Sequence, residues 1–340
     1  MNLVSSQKTE TTMNTEWKAR NVAVIPFPAL GDNTIYLRLA QNLVGEGCFV
    51  TFYSDMLWPA ADLFPWLSIE PLSEHAIQDI LKRHDLVIGD VLAKSIASIG
   101  LAPDQIGRFD NFVAVTAKRF PTEFQQLATP NWLRYSPGVL LHRSFCPGVQ
   151  SGPSMVDWVD QYSRESLGIA PGKAPPAVQI PANWRSDELA DTRIVIFPTT
   201  PNPKKNYSPR GFSQLAKRLE RAGWSVDIVC LPREQDQMTN AFNPRPVKSF
   251  LSLRELIRHL LQTKAVISND SGGGHLASML GLSTFTITKK KPDFVWRPGF
   301  NSRNRVISPL LTLKLPGHKI WRPFIPLRQI ARELGSPKIR

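Results

Sequence analysis

Three short segments carry side chains whose types and spacing could do chemistry: two suit a phosphorylated ligand, and one carries an acid. In NDSGGGHLAS (269–278), Asp270 and Ser271 precede three glycines and a predicted helix through His275. A helix N-terminus attracts phosphate because its first N–H groups are unpaired and the helix dipole is positive there. Glycines also let a ligand come close to the backbone. The alternative is structural: Asp270 and Ser271 cap the helix, and His275 packs.

The second segment, TTPNPKKNYSPR (199–210), follows a predicted strand and supplies hydroxyl and ammonium groups. Thr199 and Thr200 could bind the oxygens of a diphosphate, and Lys204 and Lys205 could balance its charge. A solvated charged loop is the alternative. The segment is therefore a second candidate site for a diphosphate.

In the third segment, PALGDNTIYLRLAQNL (28–43), Asp32 lies between a predicted strand and a predicted helix. It could cap that helix, or it could act as a general base that takes a proton from an attacking hydroxyl. A carboxylate facing two phosphate-binding loops suits transfer of a group from a nucleoside diphosphate to a hydroxyl. The three segments together predict that chemistry.

A repeated strand–loop–helix pattern must position these segments. Apolar runs predict buried parallel strands, and Ile35, Leu39 and Leu43 give the first helix one apolar face. The predicted strands are 21–27, 48–55, 85–90, 112–117, 193–198, 224–231, 265–270 and 283–288. The pattern predicts an α/β fold of two Rossmann-like, doubly wound domains facing a central cleft. Ligands of such sheets bind at the carboxyl ends of the strands, where all three segments lie.

Changes in composition predict the domain boundaries. Residues 1–18 are polar and are predicted to form a disordered tail, and 19–184 form the N-terminal domain, which ends in a Pro-rich linker. Residues 185–322 form the C-terminal domain, with two of the three segments. The closing stretch, 323–340, predicts an amphipathic helix that could pack back on the N-terminal domain.

Composition also narrows the class of protein. A net charge of +13 over 340 residues indicates an acidic partner. Cys48, Cys146 and Cys230 are far apart, which argues against a disulfide framework and a zinc site and favours reduced thiols. No signal peptide and no run of about 18 apolar residues is seen. We therefore expect a cytoplasmic protein, with peripheral, charge-driven contact to a membrane as an open alternative.

The motif ISNDSGGGHLASMLGLSTFTI (267–287) resembles the D-[ST]-G-x-x-H-L-A-A-x-L-G signature of glycosyltransferase family 9. This family contains the bacterial ADP-heptose:lipopolysaccharide heptosyltransferases. FPTTPNPKKNYSPRGFSQLAKRL (197–219) resembles the Thr-Thr-x-x-x-Lys donor loop of the family, and PALGDNTIYLRLAQNL resembles its N-terminal Gly-Asp segment. The three motifs occur in the family's order, so the resemblance extends over nearly the whole chain.

The resemblance implies a GT-B fold and an inverting, metal-independent transfer without a cofactor. It implies a nucleoside-diphosphate sugar as donor, most simply ADP-heptose, and a lipopolysaccharide-core hydroxyl as acceptor. The N-terminal domain would then bind the acceptor and the C-terminal domain the donor. Asp32 matches the general base of the family. The matching donor-binding residues are Thr199, Thr200 and Lys204 for the diphosphate, Asp270 for the sugar, Ser271, Gly272 and Gly273 for the phosphates, His275 of the signature, and Glu234 for the ribose.

The chain departs from the family after the last predicted strand. In place of Gly-Pro-Thr-Asp-Pro it has KKKPDFVWRPGF (289–300), where Lys289, Lys290 and Lys291 could meet phosphate or could form a solvated basic loop. Basic residues of the N-terminal half are candidates to bind a phosphorylated or acidic glycan or glycolipid acceptor, with plain surface charge as the alternative. They are Lys118, Arg119, Arg134, His142 and Arg143.

Other functions remain open at this point. The chain could use another nucleotide sugar or a protein acceptor, or it could be a nucleotide-sugar 2-epimerase of the same fold. It could also bind a nucleotide without catalysis. A basic nucleic-acid-binding protein is the non-enzymatic alternative, but the basic residues are spread along the chain and no nucleic-acid module is recognisable. We therefore expect no nucleic-acid partner.

Overall fold

The computed structural model describes residues 16–92, 106–133, 140–184, 192–315 and 318–337. Two six-stranded parallel sheets form two Rossmann-like domains, which confirms the predicted α/β architecture. Their strands are rich in valine and isoleucine and are mostly buried on both faces, as expected of parallel strands covered by helices.

The N-terminal sheet has the strand order β3-β2-β1-β4-β5-β6. The strands are β1 (Asn21–Ile25), β2 (Phe49–Tyr53), β3 (Ser68–Glu70), β4 (Leu86–Asp90), β5 (Phe112–Thr116) and β6 (Arg143–Ser144). The helices described for this domain are α1 (Leu30–Gly45), α2 (Ile77–Arg83) and α3 (Met155–Ser166). The order reverses between β1 and β4, and a crevice for ligands opens at that point in doubly wound sheets.

The C-terminal sheet repeats this plan in the order β12-β11-β10-β7-β8-β9. Its strands are β7 (Arg193–Phe197), β8 (Ser225–Val229), β9 (Val247–Lys248), β10 (Ala265–Asn269), β11 (Ser283–Ile287) and β12 (Asn304–Ile307). A separate antiparallel hairpin follows, with β13 (Leu313–Leu315) and β14 (His318–Ile320). The helices are α4 (Pro209–Arg221), α5 (Gln235–Phe242), α6 (Leu253–Leu261), α7 (Gly272–Met279) and α8 (Leu327–Leu334).

The first helix of the N-terminal domain packs against α7 of the C-terminal domain. A Cβ atom on Gly272 would lie 2.7 Å from Leu30 Cβ and 2.9 Å from the backbone nitrogen of Gly31. Since such contacts are too short, only glycine permits this approach at position 272. The helices that carry Asp32 and His275 are therefore in direct contact.

The structure corrects one predicted boundary and one predicted contact. Trp17 falls in the predicted tail, yet it is fully buried and donates from Nε1 to the carbonyl of Leu167 at 3.0 Å. The ordered N-terminal domain thus begins before residue 19, because an indole is anchored there. Residues 1–15 lie outside the described ranges.

The closing helix, α8, does not pack on the N-terminal domain. It contacts α4, and its buried Leu327 and Ile330 belong to the apolar core beneath the C-terminal sheet. Trp224 Nε1 also donates to the carbonyl of Gly335 at 2.7 Å. The apolar face of α8 is therefore covered by the nearest helix of its own domain. Over the ranges described, no helix is both long enough and apolar enough to cross a bilayer.

Candidate active site

Asp32 lies in the first turn of α1, where the loop after β1 enters the helix. Ala29 is the N-cap residue, so Asp32 does not cap its own helix. Its side chain is 7% exposed, and its Oδ1 has no hydrogen-bond partner among the described residues. Burial raises the pKa of Asp32 to about 7, with Lys118 opposing the rise and Asp90 adding to it. A carboxyl group with this pKa can accept a proton near neutral pH.

The loop that carries Asp32 is held by its neighbour Asn33. The Asn33 side-chain amide donates to the carbonyls of Phe27 at 3.1 Å and Ala29 at 2.9 Å. Its amide oxygen accepts a 2.7 Å hydrogen bond from Ser54 Oγ. Because Asn33 is fully buried, these bonds fix the turn between β1 and α1. Asp32 thus sits on a rigid backbone.

Asp90, at the end of β4, is a second buried acid near Asp32 that the sequence did not single out. Its carboxylate accepts hydrogen bonds from Tyr36 Oη at 2.8 Å, from the Leu92 backbone N–H at 2.9 Å and from Thr116 Oγ1 at 3.2 Å. Burial raises the pKa of Asp90. The signal available was an aspartate that ends a predicted strand of the same sheet; the structure places that strand, β4, beside β1.

Asp270 precedes α7 and has the opposite environment. Its side chain is also 7% exposed, but its Oδ2 lies 2.8 Å from Lys290 Nζ and 3.3 Å from Lys205 Nζ. Burial alone would raise the pKa of Asp270, yet the charges of Lys290 and Lys205 outweigh it and lower that pKa. Asp270 is therefore a paired carboxylate.

The start of α7 is left without a side-chain cap. Ser271 is the N-cap residue, but its hydroxyl is buried and has no partner in the described part of the chain. Elsewhere, α3 and α6 begin with capping boxes built on Ser154 and Ser252. A ring atom of Phe197 would lie 2.9 Å from a Cβ at Gly273, so glycine keeps this helix start close to β7. The first N–H groups of α7 remain suited to an anion.

His275 is buried where α7 meets α1. Its Cδ2 would lie 3.4 Å from a Cβ at Gly31, and its ring meets the Trp296 ring edge-on at 6.2 Å. Burial lowers the pKa of His275, although the charge of Asp270 opposes this. The ring is therefore neutral at pH 7 and packs between the domains.

The loop after β7 brings several predicted donor-binding residues together. Thr199 Oγ1 donates a 2.7 Å hydrogen bond to Glu234 Oε2, which joins two positions 35 residues apart. Thr200 Oγ1 contacts Asn206 Oδ1 at 2.7 Å and is buried. Lys204 is exposed and forms no ion pair within the described ranges, whereas the adjacent Lys205 reaches Asp270. The sequence motif pointed to Lys204, but the turn aims Lys205 at the site.

A pocket of about 820 Å³ opens between the domains and is lined by side chains of both. Its cationic residues are Lys118, Arg119, Arg143, Lys205 and Lys290. None of the described residues that line it is acidic. Lys118 Nζ lies 3.0 Å from the centre of the Phe27 ring, next to the loop of Asp32. The pocket therefore favours an anionic ligand beside the unpaired carboxyl group.

Three of the predicted acceptor-binding residues, Lys118, Arg119 and Arg143, are thus brought together at this pocket. The prediction for His142 is wrong: it is buried in the N-terminal domain, where Nδ1 accepts a 3.1 Å hydrogen bond from the Ala114 N–H. Burial lowers the pKa of His142 to about 4. Arg134 lies outside the described residues. Within those residues, no group of three or more His, Cys, Asp or Glu side chains could hold a metal ion.

The family model for glycosyltransferase family 9 (heptosyltransferase) matches residues 137–309, which is half of the chain. The matched region includes the Thr199–Lys205 loop, Asp270 and the start of α7. Asp32 lies outside it. No curated protein matches the chain by sequence.

Solved structures share the fold over almost the full length. A family 9 glycosyl transferase from Veillonella parvula aligns with a TM-score of 0.67 at 14% identity, over 94% of this chain and 98% of that one. ADP-heptose LPS heptosyltransferase II of E. coli gives 0.62 at 15% identity, over 93% and 97%. An E. coli heptosyltransferase solved with ADP gives 0.60 at 16% identity, over 93% and 100%. These likenesses identify the fold as GT-B.

Proposed function

The chain belongs to glycosyltransferase family 9, and we propose that it transfers a sugar from a nucleoside diphosphate to an acceptor hydroxyl with inversion at the anomeric carbon. The proposal rests on one observation above all. Asp32 is buried, unpaired and near neutral in pKa, and it lies beside a pocket that holds five cations and no described acid. That combination suits a general base that faces an anionic substrate pair.

In the proposed reaction, Asp32 takes the proton of the acceptor hydroxyl as its oxygen attacks the anomeric carbon. The new glycosidic C–O bond forms on the face opposite the nucleotide while the bond to the diphosphate oxygen breaks. The proton stays on Asp32, and the electron pair leaves with the nucleoside diphosphate. A pKa near 7 lets Asp32 be ionised before the step and protonated after it.

The leaving diphosphate gains negative charge, and the C-terminal domain offers fixed positive partners for it. The uncapped start of α7 supplies N–H groups, and Lys205 and Lys290 supply ammonium groups that Asp270 holds in place. Preorganised donors of this kind stabilise charge that develops in the transition state. These groups would neutralise the diphosphate without a bound metal ion.

We propose ADP-heptose as the donor. The family description names heptosyltransferases, and a solved structure of similar fold holds ADP. Thr199 and Glu234, joined by their hydrogen bond, are placed to contact the nucleotide, with Thr200 and Lys204 nearby. Asp270, which forms ion pairs with Lys205 and Lys290, would accept hydrogen bonds from the sugar hydroxyls.

We further propose an acceptor with phosphate or carboxylate groups, such as a lipopolysaccharide core. Lys118, Arg119 and Arg143 line the pocket from the N-terminal domain and would bind those groups. A core acceptor carried on a lipid would place the enzyme at the cytoplasmic face of the inner membrane.

The test combines nucleotide binding with product analysis. Thermal shifts with ADP, GDP and UDP should show the largest stabilisation for ADP, and NMR of the product of ADP-heptose should show an inverted anomeric centre. Preference for UDP or GDP would exclude heptose transfer from an ADP sugar. Retention of configuration would exclude direct displacement, and turnover of a UDP-sugar without an acceptor would indicate a 2-epimerase.

A further inference from the structure

The hairpin β13–β14 and the stretch just before it carry exposed apolar side chains that the active site does not use. They are Leu310 and Leu311, before β13, and Leu313 and Ile320, in the hairpin, here called the leucine surface. Leu310 is 82% exposed and Leu311 is 51% exposed. Leu313 and Ile320 are paired directly opposite each other in the hairpin and both are exposed, so they share one face. Exposed leucines gathered in this way indicate a contact surface.

The leucine surface is fixed to the domain rather than hanging from it. Trp321, directly after β14, is buried and its ring packs against Tyr207 at 6.1 Å. The Leu310 N–H donates to the carbonyl of Phe324 at 3.0 Å, which closes the base of the hairpin. The apolar side chains are therefore held outward by a stem anchored in the C-terminal core.

Two exposed lysines, Lys289 and Lys291, lie on the loop beside the hairpin base and are here called the lysine rim. Neither forms an ion pair in the ranges that the structure describes. Ser308, just before the hairpin, donates from Oγ to the carbonyl of Lys290 at 2.7 Å, so the loop with Lys289 and Lys291 runs beside the hairpin base. Lys290 between them points to Asp270 instead. The rim thus gives the surface a positive border.

The hairpin leaves the C-terminal sheet at the edge that faces the cleft. It follows β12, and the loop of Lys290 follows β11, so both leave the same edge of the parallel sheet. That edge holds the carboxyl ends of the strands and faces the pocket. A surface at this edge would lie next to the path of an acceptor that enters the cleft.

We infer that the leucine surface and the lysine rim dock the protein on an anionic lipid bilayer, with the cleft beside the membrane. Leucines suit the boundary between headgroups and acyl chains, and the lysines complement the negative headgroups. A lipid-borne acceptor, which gives this docking its purpose, rests on the proposed function. Binding to the bilayer itself depends only on the headgroup charge and the apolar boundary, and not on the sugar site.

Flotation of the full chain with vesicles tests the inference without any sugar or nucleotide. Vesicles with about 30% phosphatidylglycerol should bind the protein, and pure phosphatidylcholine vesicles should bind it much less. Leu310→Asp with Leu311→Asp should lower the partition coefficient at least about tenfold. Leu251→Asp is the matched control, since Leu251 is 90% exposed elsewhere in the same domain, and should change it less than about twofold.

A second measurement separates this inference from the proposed function. The leucine variant, with an unchanged melting temperature, should keep its turnover of a water-soluble acceptor and lose turnover of the same acceptor in vesicles. Equal vesicle binding by the leucine variant and the native protein would overturn the inference. So would native protein that ignores anionic vesicles, a result that would point to a protein partner and leave the transferase activity to its own test.

Discussion

Asp32 and Asp270 occupy equivalent places in the two domains, yet their surroundings are opposite. Each follows a central strand at the start of a helix, and each side chain is largely buried. Asp32 has no ion pair among the described residues, and burial raises its pKa to about 7. Asp270 is held by Lys205 and Lys290, and its pKa is lowered. The same residue type in the same kind of turn can thus serve as a proton acceptor or as a fixed charge.

The difference arises in the loops around the two aspartates. The loop with Lys118 lies near Asp32 but turns its ammonium group over the Phe27 ring. The loops of the C-terminal domain send two ammonium groups directly to Asp270. An adjacent cation lowers the pKa of a carboxyl group because it favours the charged form. Asp270 has such cations in ion-pair contact and Asp32, among the described residues, does not, which explains why the two pKa values move in opposite directions.

The largest expected effect is on turnover. Asp32→Asn should lower kcat about 10²–10⁴-fold, since an amide cannot take the acceptor proton, while ADP affinity changes by less than about threefold. Rates would be measured at saturating donor and acceptor, and affinity by calorimetry. Asp79→Asn, which alters an exposed carboxylate on α2, is the control and should keep native turnover. Near-native turnover of Asp32→Asn would remove this residue from the mechanism.

The next effect is on stability at pH 8, where replacing Asp32 and replacing Asp270 should change the free energy of unfolding in opposite directions. The pKa of Asp32 is raised on folding, so its ionisation opposes folding increasingly as pH rises from about 4 to about 7. Asp32→Asn should therefore add up to about 4 kcal/mol to the free energy of unfolding at pH 8 and little at pH 4.

The pKa of Asp270 is lowered on folding, so its contribution is complete at pH 8 and is lost only as pH falls below about 4. Asp270→Asn should lower the melting temperature at pH 8, whereas Asp32→Asn should raise it. Melting curves at pH 5 and pH 8 measure both. The same sign for both variants at pH 8 would contradict the contrast.

A smaller loss should follow when Asp270 is made to resemble Asp32. Lys205→Ala with Lys290→Ala leaves Asp270 buried without its two cations. Because both lysines are partly exposed, the loss should be about 2 kcal/mol of stability at pH 8, between that of a surface pair and that of a fully buried pair. The same pair should slow transfer, because both cations face the leaving group. Lys204→Ala is the matched control and should leave the melting temperature unchanged. If the control loses as much stability as the double variant, the ion pairs of Asp270 do not stabilise the fold.

The smallest effect concerns the pH dependence of kcat/KM. In the native protein the rate should rise with pH through an apparent pKa near 7, as Asp32 ionises. Asp90→Asn removes a like charge that raises this pKa, so the rise should move to lower pH by less than about one unit. An unmoved or raised midpoint would show that Asp90 does not act on Asp32 through its charge.

The eight central strands of the two sheets could be predicted because their apolar runs are local patterns. The three chemical segments could be found for the same reason, since each lies within one turn between a strand and a helix. The edge strands β3, β6, β9 and β12 were not predicted, because each is only two to four residues long and shows no such run. The ion pairs of Lys205 and Lys290 with Asp270 could not be predicted, nor could the lack of such a pair at Lys204. They depend on the direction in which each turn orients its side chain toward a residue 20 or 65 positions away in the sequence. The spacing of residues in a motif does not determine that direction.

Other misses have similar causes. Trp17 lies in a polar stretch, and only its hydrogen bond to Leu167, 150 residues away, reveals that it is part of the core. The amphipathic pattern of α8 showed that one face must be covered but not by which domain. His142 was selected for its charge, and its burial behind β5 makes it neutral.

The close approach of Gly272 to Leu30 has a consequence for protein engineering. The two domains meet at a seam where one partner must lack a side chain, and the helices on each side begin at the active site. A chimera that joins the N-terminal domain of one relative to the C-terminal domain of another must therefore carry a matching pair of small and large residues at this seam. Domain exchange that ignores the pair would move Asp32 away from Asp270 and the start of α7, even when each half folds correctly.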